Sequence, residues 1–159
     1  MKEIPFFPNH PDGTHCYQSA LKMVLAHLTG KQYSFDELDR LTGKLEGKWT
    51  WPTASFLWLL EEGFELRLIE EFSYEEFATK GKEYLLAKCG AEVAGAQELH
   101  SDLPREQALA KQLLAKKPNV KMEVPTWKDL KDLFHSGYLI ICNINSNTLS
   151  HRSGYSGHF

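Results

Sequence analysis

The chain has no apolar run that approaches the roughly 18 residues needed to cross a membrane. Its opening residues, MKEIPFFPNHPDG, lack the long apolar core of a signal peptide. Cysteine is scarce: there are three, widely spaced, which excludes a disulfide framework and a C-x-x-C zinc site. These absences imply a reducing, cytoplasmic setting. There is no internal repeat and no low-complexity tract. There is no phosphate loop either, because Leu28-Thr29-Gly30-Lys31 lacks the first glycine and the spacing. Neither sign of charge dominates. A net charge of −3 with scattered signs gives no reason to expect nucleic acid or an anionic membrane as a partner. With 159 residues, 42% of them hydrophobic and 25% charged, the chain suits a single globular domain around one core.

The stretch from Asn9 to Leu28, NHPDGTHCYQSALKMVLAHL, carries the most information. A Pro-, Asp- and Gly-rich loop runs into Thr14-His15-Cys16. From there Tyr17, Ala20, Leu21, Val24, Leu25 and Leu28 recur at spacings of three and four, which predicts one face of a helix. Cys16 therefore falls in a first turn, where unpaired N–H groups and the helix dipole favour a thiolate. The bland alternative is a small buried cysteine. A partner for a nucleophile is available at the far end of the chain in Gly157-His158-Phe159, after the apolar run Tyr138 to Ile144 and a polar loop.

The segment CYQSALKMVL resembles the Cys-Gly-x-Ala-x-Leu-x-Met-x-Leu helix of the bacteriocin-processing branch of papain-like cysteine peptidases, the double-glycine leader peptidases and their stand-alone relatives. DLKDLFHSGYLIICNIN, a loop and SGHF resemble the helix, strand and Gly-His-aromatic block of the same branch. The resemblance implies a papain-like α+β fold, with an N-terminal helical half packed on a C-terminal antiparallel sheet and an active site in the cleft between. It implies a Cys16–His158 pair that cleaves a peptide or small amide, with no cofactor. Three departures stand out. Tyr17 occupies the position of the usual glycine, and His10, beside Asn9, that of the usual oxyanion-hole glutamine. The chain also stops one residue after His158, before the expected Asp or Asn. The resemblance thus implies either a domain continuing past Phe159 or a pair that works without an orienting carboxylate, the former being expected, with 91–118 as a helical insertion and a truncated sheet edge able to exchange strands with a second copy.

The remaining punctuation predicts further elements. Ser34-Phe35-Asp36-Glu37 and Ser73-Tyr74-Glu75-Glu76 have the capping-box pattern, the first opening a short helix to Leu41 and the second a helix to Cys89-Gly90. Pro52 suits the first turn of a helix that ends at Gly63, and Phe64 to Ile69 alternates as a strand does. Ala91 to Lys117 should be mostly helical. Thr126 and Asp129 open a last helix with Leu130, Leu133 and Phe134 inward, and Tyr138 to Ile144 reads as a strand buried on both faces. Cys142 within it should be inert packing, and Cys89 at a helix end structural.

In the chemistry so implied, the His158 imidazole takes the Cys16 proton and the thiolate attacks a carbonyl carbon. The Cys16 N–H and a side chain, either Asn9 or His10, would steady the oxyanion. Tyr17, Trp49, Trp51 and Gly157 are candidates for the substrate groove, although the two tryptophans can equally cover core. His15 is a rival base, awkwardly placed because adjacent helical residues point about 100° apart. His151 is a weaker one, His27 reads as a surface or core histidine, and His100 and Asp102 read as solvated loop residues. His10, His15, Cys16 and His158 could converge on zinc, but no pair has the tight spacing of a dedicated site, so no metal is expected. An enzyme, whether peptidase or acyltransferase, stands against a catalytically silent peptide-binding module of the same fold.

Overall fold

Helix punctuation accounts for most element boundaries. The computed structural model describes residues 3–159. Helix α1 (Cys16–Thr29) ends where Gly30 turns left-handed at φ 73° and its N–H bonds back to Ala26 O. Helix α2 (Phe35–Thr42) starts on a complete capping box, with the Ser34 hydroxyl on the Glu37 N–H and the Glu37 carboxylate on the Ser34 N–H, and stops at left-handed Gly43. Helix α3 (Thr53–Glu61) follows Pro52 and precedes strand β1 (Arg67–Ile69). The helix expected from Ser73 to Gly90 is divided. Gly81, at φ 55° and ψ −121°, separates α4 (Tyr74–Lys80) from α5 (Lys82–His100), and Gly90 kinks α5 at φ 83° and ψ 171°. Helix α6 (Leu103–Ala115) is capped by Asp102, and strand β2 (Asn119–Lys121) follows. The chain ends with α7 (Trp127–His135), β3 (Ile144–Asn145), α8 (Ser146–Leu149) and β4 (Gly157–His158).

Two compact units result, Met1–Thr50 with Lys131–Phe159, and Trp51–Leu130. In the first, α1 packs on α2. The predicted stripe of α1 is realised in part: Tyr17, Leu21 and Leu25 are buried, as is Leu38 of α2, while Ala20 and Val24 are half-buried and Leu28 is exposed. Gln18 Nε2 donates to Thr42 Oγ1 of α2 (3.2 Å) and to Thr50 Oγ1 in the loop beyond it (2.9 Å). In the second unit, Phe77 of α4 is 1% exposed at the centre of a core with Leu57, Leu68, Tyr84, Leu103 and Leu113. The Trp51 ring stacks on Phe77 at 5.0 Å, and its Nε1 donates to Gln97 Oε1 and Ser101 Oγ. Strands β1 and β2 pair in parallel, Arg67 with Asn119, and α4, α5 and α6 form the crossover that parallel pairing requires.

The papain-like α+β architecture is not what forms. Helices and strands are interleaved, and the sheets among the described residues are two separate two-stranded ladders, β1–β2 and β3–β4. The C-terminal sheet among the described residues is the two-stranded β3–β4 ladder, too small for a helical half to pack on as the papain-like fold requires. The reason lies in Tyr138 to Ile144. A strand buried on both faces needs neighbours at both edges, and only Ile144 pairs, with His158. The rest of the run is irregular and partly exposed, with Cys142 exposed rather than packed. Helix α7 buries none of its residues, so the inward face expected for Leu130, Leu133 and Phe134 is not covered, and Trp127 is 72% exposed.

Candidate metal centre

The loop before α1 folds onto itself through its own polar groups. Gly13 N–H bonds to His10 O at 2.9 Å, and Thr14 N–H to Asp12 Oδ1 at 2.9 Å. Asn9 Oδ1 accepts the His15 N–H at 3.1 Å. Asx-type bonds of this kind are the local alternative to helix that Asn and Asp offer. They bring His10, Asp12 and His15 together, with one ligand atom from each lying within 4.8 Å of the others. His15 Nδ1 is 2.9 Å from Asp12 Oδ1, and His10 Nδ1 is 3.4 Å from the same oxygen.

His15 is 7% exposed and reaches across to α2, where its Nε2 is 3.1 Å from Asp39 Oδ2. Both ring nitrogens thus face a carboxylate oxygen. The other oxygen of Asp39, Oδ1, is buried without a hydrogen-bond partner. The His10 ring lies 4.8 Å from that of His15, and Phe35 stands edge-on to both. The Asp12 carboxyl is held well below the ordinary carboxylate range, chiefly by the Thr14 N–H, with His15 acting in the same direction.

The Cys–His reading does not survive this geometry. Cys16 sits in the first turn of α1, half-buried, and among the described residues neither a hydrogen bond nor a dyad-like approach joins it to a histidine. His158 lies exposed in β4. The ring contact at this end of the unit is between their chain neighbours, Tyr17 and Phe159, at 4.7 Å. The histidine beside Cys16 that does have partners, His15, is engaged by Asp12 and Asp39. A thiolate–imidazolium pair needs contact between sulfur and ring. The cysteine peptidase and the acyltransferase therefore lose their chemistry, and the silent papain-like module loses its fold. The peptide or amide substrate goes with them, as does the strand exchange inferred from the edge of a papain-like sheet, since only a two-stranded ladder forms there.

The other candidate residues are dispersed in role. Asn9 spends its side chain on the helix start, and His10 belongs to the cluster with Asp12. Tyr17 is buried, Trp49 is exposed in the first unit, and Trp51 packs into the core of the second. A Cβ on Gly157 would lie 2.5 Å from Tyr155 Oη. His151 adopts φ 55°, and His27 Nδ1 is 3.3 Å from Glu3 O. Cys89 is exposed, yet partial desolvation of its thiol pushes its pKa up.

Two further residues, Asp12 and Asp39, belong to the cluster. Asp12 was legible as the centre of His-x-Asp-x-x-His. Asp39 had no local signal, since only the packing of α2 on α1 brings it to His15. No helix among the described residues is long and apolar enough to cross a membrane. No family model matches the chain, and neither a curated protein nor a solved structure matches it, so the papain-like resemblance has no support from known proteins.

Proposed function

We propose that the first unit binds a divalent transition-metal ion of the zinc class through His10, Asp12 and His15, with Asp39 orienting His15 from behind. The observation that carries this reading is the disposition of His15. Its Nδ1 is turned to Asp12 while its Nε2 is turned to a second carboxylate. That is how protein metal sites fix the ring of a ligating histidine, and the outer carboxylate also raises the basicity of the ligand. Two imidazoles and one carboxylate suit zinc or a neighbouring first-row ion rather than magnesium or calcium. Ligand atoms on one tetrahedral ion lie about 3.3 Å apart. The 2.9 and 3.4 Å separations of the two imidazoles from Asp12 bracket that value, and the three ligand atoms all lie within 4.8 Å of one another, so side-chain rotation would have to draw the set together around an ion. With three protein ligands, two of them exposed, a fourth position is left for water. The three unpaired cysteines accord with the reducing, cytoplasmic setting that we assign to the protein.

Titration of the full chain with Co²⁺ and Zn²⁺ tests the reading. One ion per chain is expected, with a tetrahedral cobalt absorption band that zinc displaces. Affinity should rise with pH, because binding releases ring protons. His10→Ala and Asp12→Asn should abolish the band, and Asp39→Asn should weaken binding by about 10–100-fold. Uptake unchanged by His10→Ala and Asp12→Asn, or no uptake at millimolar metal, would leave the cluster as a hydrogen-bonded clamp between the loop, α1 and α2.

A further inference from the structure

The second unit holds a carboxyl group where a core side chain belongs. Glu106 of α6 is 7% exposed, and it shares its helix face with Leu103, Ala110 and Leu113. Thr53, the first residue of α3, hydrogen-bonds one side of the carboxyl. The other oxygen, Oε2, is buried with no partner. A carboxylate only accepts, so ionisation would leave Oε2 as a buried charged oxygen with no hydrogen-bond donor.

We propose that Glu106, buried with Oε2 unpartnered, makes the α3–α6 seam a pH-sensitive joint, closed around the neutral acid and loosened when the acid ionises. The charges around it fit this role. Arg105 favours the carboxylate, Asp102 opposes it, and burial outweighs both, pushing the group up to about 7. The buried face of α3, Thr53, Ser55 and Leu57, brings no titratable group. On the packed helices Glu61 of α3 pairs with Lys116, Glu76 with Lys80 on α4, Lys82 with Glu98 on α5, and Lys88 of α5 with Glu71, and these groups, with Glu75, Glu83 and Glu92, are all exposed. The sign follows from linkage. The folded chain keeps a proton that the unfolded chain sheds above its ordinary value of 4.5. Stability from this group is therefore complete below that value and is lost as pH rises through the folded one.

Hydrogen exchange on the full chain at pH 5.5 and 8.5, corrected for intrinsic rates, tests the joint. Protection of α3 and α6 amides should fall by about tenfold or more, one pKa unit of linkage being tenfold. The amides of α1 serve as the internal control, and Glu106→Gln should abolish the fall. Equal protection at the two pH values, or a fall that persists in Glu106→Gln, overturns the proposal. Should that variant not fold, the side-chain ¹³C carboxyl shift of Glu106 in the unaltered chain decides. A titration centred near neutrality supports the joint, and a carboxylate already formed at pH 5.5 refutes it.

Discussion

A methyl group added at Gly30 would meet nothing within 4 Å, yet Gly30 closes α1 at φ 73°. Alanine there should cost only the left-handed backbone penalty, about 1 kcal/mol. Gly81 is needed for a different reason. Its φ of 55° pairs with a ψ of −121°, and an added Cβ would lie 2.5 Å from the side-chain amide of Gln107, which also bonds to Phe77 O. Alanine at Gly81 should cost more, about 2–3 kcal/mol. Urea unfolding of the two variants checks the order, and equal losses would mean that the α4–α5 corner relaxes freely. At this scale the sequence was informative about conformation and much less so about chemistry. A glycine after an apolar stripe announces its own turn. The partner of His15 is Asp39, 24 residues away, and nothing local to either residue points to the other.

Helix starts offer the next comparison, because two sequences of the same pattern are realised differently. Ser34 and Glu37 cap α2 reciprocally, with the Ser34 N–H donating to Glu37 Oε2 at 2.7 Å. At α4 the Ser73 hydroxyl accepts the Glu76 N–H, but the Ser73 N–H goes to Tyr84 Oη at 2.7 Å, and Glu76 pairs with Lys80 instead. Ser34→Ala should cost about 1 kcal/mol by loss of the cap. Glu76→Ala at α4 should cost only about 0.5 kcal/mol, the worth of an exposed i,i+4 ion pair. Thermal unfolding followed by circular dichroism distinguishes them; a loss at Glu76 as large as at Ser34 would show that the box matters there after all. Caps, stripes and glycines are local, so α1, α2, α3 and α7 were legible nearly to the residue. The strand expected from Tyr138 to Ile144 was not, because its apolar composition says nothing of whether neighbours exist to pair with it. The same limit misled the site. A cysteine in a first turn and a histidine after a glycine are each local patterns, and their meeting is not.

For the whole chain, carboxyl groups of two kinds set the response to pH. Asp12, Glu37 and Asp129 sit below their ordinary values, held first by the Thr14 N–H, the Ser34 N–H and the Thr126 hydroxyl respectively, Asp129 at about 2. Stability from such depressed groups is present above their unfolded values and is lost as pH falls through the folded ones. Glu70 and Glu106 are raised by burial and act in the opposite sense. The urea midpoint should therefore peak near pH 5, at about the crossing of the two trends. Asp129→Asn should make the acid limb shallower, and a flat profile from pH 3 to 8 would contradict the assignment. The parallel ladder bears on how the molecule assembles. Arg67 finds Asn119 only after the intervening helices have condensed, so this pair closes a long excursion of chain for a handful of backbone bonds. It acts as a late clasp, expected to shut last on refolding and to spring first when the molecule breathes.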